Sequence, residues 1–456
     1  MTLELQAPTA MAGARERFVA AMPEHFERLA WPREQLAAFQ AARLRELLAT
    51  ALERSPYHAR RLAGIDVARF TPGDLPSLPV MTKADMMAHY DDVVTDRRLD
   101  RQVLEAHLTH THDGPQLLFD EYFILTSGGS SGVRGMFAWG RDGAVDFFSA
   151  VLRSGMKQVA GMMGWPPPMP LPVVLAAAPT GIHATRALMT LAEGRVAAPV
   201  FAPATLPFDE LVARVNAARP MLIAGYTSTV ARLADERAAG RLTASPQMVV
   251  VTSEQLTPEL AARIARGFGA PPANNFASTE GLIGSAPPGS DVFDFASDLA
   301  IVEFVDADDR PVPPGEPADH VLVTNLANLA QPLIRYRLDD RMVEAEPSSL
   351  HGHQRATVEG RNDAYIDFDG VPVHPLSLRS ALLRHPAVIE YQVFHGPGRA
   401  RIDVVAGEPI DIAALERDLA AAFAAAGASG VAVSVRLVHA VARDPGTGKA
   451  RRFIAE

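Results

Sequence analysis

From about residue 120 this chain alternates short apolar runs with amphipathic helical patterns, and that alternation leaves few architectures open to it. The runs are "EYFILTSGG" (121–129), "LPVVLAAAP" (171–179), "MLIAGY" (221–226), "MVVVTSE" (248–254) and "VLVTNL" (321–326). Each is short, branched and nearly continuous in apolar residues, the texture of a strand buried on both faces. Between them, "DELVARVNAA" and "TPELAARIARGFGA" place apolar residues at helical spacing. Strands of this kind separated by helices predict an α/β domain on a largely parallel sheet.

The flanks differ. "REQLAAFQAARLRELLATALERSPYHARRLAG" carries Leu36, Phe39, Leu44, Leu47, Leu48 and Leu52 on one helical stripe, and Pro56 should end that helix or start a turn. Thr82 is placed to cap a short helix. "GWPPPMPLP" (164–172) reads as a stiff connector. After "VEGRNDAYIDFDG" (358–370) the texture becomes that of a small α+β unit. "VIEYQVFHG", "RIDVVAG" and "VAVSVRLV" read as strands around the helix "DIAALERDLAAAFAAAG", whose Leu415, Leu419 and Phe423 share one face and which Gly427 should stop. The expected domains are 1–359 and 360–456.

Composition narrows function. At 456 residues, 48% hydrophobic and 21% charged, the chain can bury a substantial core. Its formal charge of -10 argues against nucleic-acid or anionic-membrane partners, which select a basic face. The absence of Cys excludes disulfides, thiolate catalysis and Cys-ligated zinc. No apolar stretch reaches the roughly 20 residues of a membrane span. "MTLELQAPTAMAGARERF" lacks the basic start and apolar run of a secretory signal, so a soluble cytoplasmic protein is expected.

Five stretches invite chemistry, one of them the Gly/Asp-rich "GRNDAYIDFDGVPVHP" (360–375) at the expected domain boundary, which also reads as an ordinary linker. "TSGGSSGVRG" (126–135) has the glycines and hydroxyls of a loop that grips phosphates, although a plain surface loop has the same composition. In "NNFASTEG" (274–281), Thr279 and Glu280 suit a hard cation bridged to phosphates, or simply the start of a helix. "PLIRYRLDDR" (332–341) offers Asp340 as a bidentate acceptor for ribose hydroxyls, or a charged turn. "DPGTGKARRF" (444–453) carries Lys449, one of only three lysines beside 40 arginines, yet it is not a Walker loop. Outside these, His107, His110 and His112 in "HLTHTHD" read as a transition-metal site or, preferably, as a solvated turn in an irregular segment.

The order of these motifs resembles the adenylate-forming superfamily of acyl-CoA synthetases, adenylation domains and luciferases. "RLRELLATALERSPYHARRL" and "DLPSLPVMTKADM" are similar, more narrowly, to the phenylacetate–CoA ligase branch. The resemblance implies a large adenylation domain with mixed and parallel sheets, followed by a small mobile α+β domain carrying a catalytic lysine. It implies ATP, Mg2+ and coenzyme A as cofactors, a small carboxylic acid as substrate, and, by analogy, a homodimer.

Residue by residue, the resemblance gives the phosphate loop to Ser127, Gly129, Ser130, Ser131 and Gly132. Phe276 would stack on adenine, with Ser253 and Glu254 bordering it. Thr279 would contact the α-phosphate and Glu280 would hold Mg2+. Asp340 would bind ribose, Arg361 would reach the nucleotide and Asp363 would be the hinge. Lys449 would bridge the acid and the α-phosphate. Tyr226, His183, Ala277, Leu282 and Ile283 fall where the family lines its acid pocket, although core packing accounts for them equally well. The implied activity is an AMP-forming acid–CoA ligase for an aryl or arylacetic acid or a short branched 2-hydroxy acid. Its alternatives are transfer to a carrier-protein thiol or an amine, and a nucleotide-binding protein without catalysis.

Overall fold

In a computed structural model the described residues are 8–110, 115–126, 135–164, 169–178, 183–361, 366–368, 371–373, 378, 381–382, 384–385, 387–443, 448 and 453–456. The chain divides into two compact units, Met1–Gly360 and Arg361–Glu456.

The large unit is organised by a nine-stranded mixed sheet. From one edge run Ala197–Phe201, Leu171–Ala176, Leu222–Tyr226, Met248–Thr252 and Ala273–Ala277, all parallel. Ile283–Ala286, Val292–Phe295 and Arg355–Arg361 continue antiparallel, and Asp340–Glu344 forms the other edge. The parallel strands bury both faces, and alternate residues divide between two cores. Val173, Leu175, Met248 and Val250 belong to one, together with the helix Arg141–Met163. Val174, Ala176, Val249 and Val251 belong to the other, against the helices Phe208–Ala218, Thr227–Ala238 and Pro258–Phe268. The last of these shows how locally its ends are written: Thr257 Oγ1 accepts from Leu260 N–H at 3.3 Å, Pro258 takes the first turn, and Gly269 closes the helix at φ +81.

Two of the five apolar runs lie outside this sheet. Tyr122–Thr126 pairs antiparallel with Leu117–Leu118 and Met136–Gly140. His320–Asn325 pairs antiparallel with Ala300–Val305 and Tyr336–Leu338. Every residue of His320–Asn325 is buried, so its sequence has the unbroken texture of a parallel strand. The helix Arg33–Arg54 lays Leu44, Leu47, Leu48 and Ala51 on Ile301, Leu326 and Ile334 of this second small sheet region. It ends at Ser55, and Pro56 opens the next helix. Thr82 caps Lys83–Ala88 in a reciprocal box with Asp85, as its sequence predicts.

The small unit has a four-stranded sheet in the order Ala432–Leu437, Arg399–Ala406, Val388–Gly396, Phe453–Ala455. The helix Ile412–Ala425, capped by Asp411, presses Leu415, Leu419 and Phe423 onto Val393, Ile402 and Val404. Among the described residues no helix is long and apolar enough to cross a membrane.

Candidate nucleotide site

Parallel strands gather their carboxyl ends on one side of a sheet, and ligands of open α/β sheets bind outside those ends. The last parallel strand, Ala273–Ala277, turns at its carboxyl end into the antiparallel Ile283–Ala286. The linking turn contains Thr279 and Glu280. Tyr226, Ser253 and Glu254 close or follow the two neighbouring parallel strands, so topology brings these candidates to one end of the sheet.

The turn is firmly held. Leu282 N–H donates to Ser278 Oγ at 3.2 Å, and Gly281 N–H to the Ser278 carbonyl at 3.1 Å. Gly281 sits at φ +108, where a Cβ would stand 2.1 Å from Asn325 Nδ2; only glycine fits. The Glu280 side chain is buried, and its Oε2 accepts from the Thr279 hydroxyl at 3.2 Å. Among the described residues no cationic side chain pairs with that carboxylate, and no cluster of three His, Asp or Glu is arranged to hold a metal. A single buried carboxylate beside a hydroxyl fits a hard cation that takes its other ligands from phosphates and water.

Several candidates have structural employment as well. Glu254 Oε2 accepts from Ser228 N–H at 2.7 Å, and its carbonyl accepts from Thr227 Oγ1 at 3.0 Å, so it caps the helix Thr227–Ala238. Exposed Ser253 is left-handed at φ +66, a conformation a serine rarely adopts without a local demand. The Tyr226 hydroxyl accepts from Ala178 N–H at 3.0 Å, and its ring is buried in the core. Phe276 is half-buried and meets Phe293 and Phe295 edge-on, with centroids 6.2 and 6.1 Å away. Ala277 is exposed, whereas Leu282 and Ile283 are buried. His183 precedes the helix Ala184–Ala192 and is half-buried.

Asp340 is buried and opens the edge strand Asp340–Glu344, with three strands between it and Ala273–Ala277 in the sheet order. Arg335, in the same motif, is a fold anchor at φ +49: its Nε lies 3.1 Å from both Glu303 oxygens, and its Nη1 donates to the carbonyls of Pro76 and Leu78. Arg361 ends the strand Arg355–Arg361. Ser127, Gly129, Ser130, Ser131, Gly132, Asp363 and Lys449 lie outside the described residues. So does His112, whereas His107 sits on the helix Arg101–His110 rather than in an irregular segment, its Nε2–H donating to the Gln116 carbonyl at 3.1 Å.

Sequence reasoning passed over four residues around the turn. Trp139 Nε1–H donates to the Thr279 carbonyl at 3.2 Å, and Asn325 Nδ2–H to the Glu280 carbonyl at 2.8 Å. Asn325 Oδ1 accepts from Ala327 and Asn328 N–H at 2.9 and 3.1 Å. Asn328 Nδ2–H donates to the Ala138 carbonyl at 2.9 Å. Gln331 accepts from Ala138 N–H at 2.8 Å and donates to the Met136 carbonyl at 3.2 Å. The signal was present: amides spaced by three in apolar "NLANLAQP" are poor candidates for burial unless fully bonded.

No protein-family model matches the chain. It is 26% identical over 385 residues to the phenylacetate-coenzyme A ligase of Thermus thermophilus, spanning 79% of this chain and 78% of that protein. Its fold is similar to a crystal structure of 2-hydroxyisobutyryl-CoA ligase in the postadenylation state, with a TM-score of 0.67, 20% identity, and coverage of 94% of this chain and 91% of that one. A second structure of that ligase, in complex with 2-HIB-AMP, matches with a TM-score of 0.65 and 20% identity over 93% and 90% of the two chains.

Proposed function

This chain resembles the phenylacetate–CoA ligase branch of the adenylate-forming superfamily in sequence and has that superfamily's fold, and on that premise we propose that it is an ATP-dependent, AMP-forming acid–CoA ligase. The observation that carries the reading is the Thr279–Glu280 turn: a buried carboxylate and a hydroxyl, rigidly held at the carboxyl end of the last parallel strand.

The chemistry asks two anions to meet. A substrate carboxylate oxygen attacks the α-phosphorus of ATP, pyrophosphate leaves, and an acyl-adenylate forms. Glu280 would hold Mg2+, which would neutralise phosphate charge. Thr279 would hydrogen-bond the α-phosphate and Phe276 would stack on the base. Asp340 would take the ribose, with Ser127 and Gly129–Gly132 around the outer phosphates and Arg361 beside the nucleotide. Lys449, on the small unit, would place its ammonium between the carboxylate and the α-phosphate; a compact charge suits that gap better than a guanidinium fork. A CoA thiol then attacks the acyl carbon and AMP leaves, after a rotation about Asp363 that withdraws Lys449.

For the acid, the pocket would be lined by Tyr226, His183, Ala277 and Leu282. Similarity to a phenylacetate ligase in sequence and to a 2-hydroxyisobutyryl-CoA ligase in fold supports aryl or arylacetic acids and short branched 2-hydroxy acids as the first panel. A cytoplasmic homodimer belongs to the same reading.

The test is pyrophosphate release with that panel, ATP, Mg2+ and CoA. Acid-dependent release and an acyl-CoA product are expected. Lys449→Ala should abolish adenylation while sparing CoA attack on preformed acyl-adenylate. Protein that binds Mg2+–ATP yet releases no pyrophosphate with any acid overturns the reading.

A further inference from the structure

We infer that Asn325 is a positioning residue for the Thr279–Glu280 turn, and that the segment 325–331 locks this turn to the strand Met136–Gly140 that follows the glycine–serine loop. The inference rests on the ligase reading and goes beyond it, to how the reacting groups are kept in register.

The bonds form a closed circuit. The Glu280 carbonyl accepts from Asn325, whose Oδ1 accepts from Asn328 N–H. Asn328 donates to the Ala138 carbonyl, and the next residue, Trp139, returns to the Thr279 carbonyl. Gln331 adds two bonds to the same strand. Every side chain in the circuit is buried, with Asn325 0% and Asn328 1% exposed. The circuit therefore joins both main-chain carbonyls of the Thr279–Glu280 pair to the base of the hairpin, where Thr126 pairs with Met136 across the glycine–serine loop.

Asn325 can act only one way round. Its oxygen is committed to two N–H donors, so a flipped amide would face them with its own NH2. Its Nδ2 fills the space that glycine leaves open at position 281. Thr279 and Glu280 thus project from a backbone whose carbonyls cannot rotate independently of the phosphate-loop hairpin. For a reaction that brings a carboxylate onto an α-phosphorus, small displacements of positioning groups lower the rate steeply.

Asn325→Asp removes the donor and sets a carboxylate against the Glu280 carbonyl. A carboxylate keeps both acceptor roles toward Ala327 and Asn328 but cannot donate to Glu280; a protonated carboxyl can. Near pH 8, acid-dependent pyrophosphate release should fall about tenfold or more, and Mg2+–ATP affinity should weaken. Activity should recover relative to wild type as pH falls. Acyl transfer to CoA from preformed acyl-adenylate, which no longer needs Mg2+ at Glu280, should fall less than adenylation does. Trp139→Phe, which removes the other donor with a ring retained, should show the same split more weakly and keeps the test available if the first variant does not fold. A folded Asn325→Asp protein that adenylates like wild type at every pH overturns the inference. So does an equal fall of both half-reactions that tracks lost thermal stability. If wild type releases no acid-dependent pyrophosphate, the ligase reading fails separately, and Mg2+–ATP affinity of the two variants still decides the inference: unchanged affinity overturns it.

Discussion

The side chains that frame the Thr279–Glu280 turn are neutral, three amides and an indole, whereas the helices Pro8–Arg28 and Arg141–Met163 are pinned to the core by charges. Asp298, fully buried, receives Arg153 through two bonds of 2.7 and 2.6 Å, with Arg28 at 3.5 Å. Burial alone would raise the Asp298 carboxyl, but the charge and hydrogen bonds of Arg153, with Arg28 behind them, hold it below the usual carboxylate range. His353 donates from Nε2 to the Arg28 carbonyl at 2.8 Å and accepts at Nδ1 from Ser297 N–H at 3.2 Å, so it is the neutral tautomer. Burial pushes its proton affinity down, against the attraction of Asp298. Ions make strong, brittle locks whose worth depends on pH; amides desolvate more cheaply and hold the same geometry at any pH. A fold can be fastened by the first kind, and a reactive turn is better framed by the second.

The sharpest way to break this contrast is Arg153→Ala. It leaves the Asp298 carboxylate with Arg28 at 3.5 Å as its remaining cationic partner, and unfolding free energy in urea should fall by about 3–5 kcal/mol. A loss comparable with that of an amide variant would erase the distinction. Next, Gln331→Leu orphans the Ala138 N–H and the Met136 carbonyl; a loss of about 1–3 kcal/mol is expected, with the pH dependence of stability unchanged.

The smallest effect per step concerns His58, the titratable neighbour of the amide segment. Its Nε2–H donates to the Pro332 carbonyl at 3.0 Å. Burial first, and then the Arg61 charge, push its pKa to about 3 despite that bond. The unfolded chain therefore binds this proton first, from about pH 6.5 downward, while the folded state stays neutral. Stability should fall on acidification between those limits, by at most about 1.4 kcal/mol per pH unit for this one proton. His58→Gln, which can still donate to Pro332, should remove that component from the acid limb of chemical denaturation. An unchanged acid limb would mean that His58 is not the group that titrates.

Legibility followed the range of the interactions involved. Strands and helices were readable because burial on both faces writes itself into local composition, as in "MVVVTSE" and "LPVVLAAAP". The sheet to which a strand belongs was not: "VLVTNL" has a parallel strand's texture but lies in an antiparallel sheet, because full burial erases the alternation that would distinguish them. In the site, Thr279 and Glu280 stood out by chemistry. Their frame did not, because Trp139 and Asn325 reach them across 140 and 45 residues of sequence. Glu254 could be picked out as a carboxylate at a strand end, but its capping of Ser228 depends on the next strand over.

The amide segment has one consequence of another kind. Met136–Gly140 is the outermost strand of its three-stranded sheet, and such a strand offers unpaired backbone groups to any passing chain. Here Asn328 and Gln331 occupy those groups at Met136 and Ala138 with side chains. A side chain cannot hand the pairing on to another strand as a backbone can, so this edge ends the ladder instead of inviting aggregation.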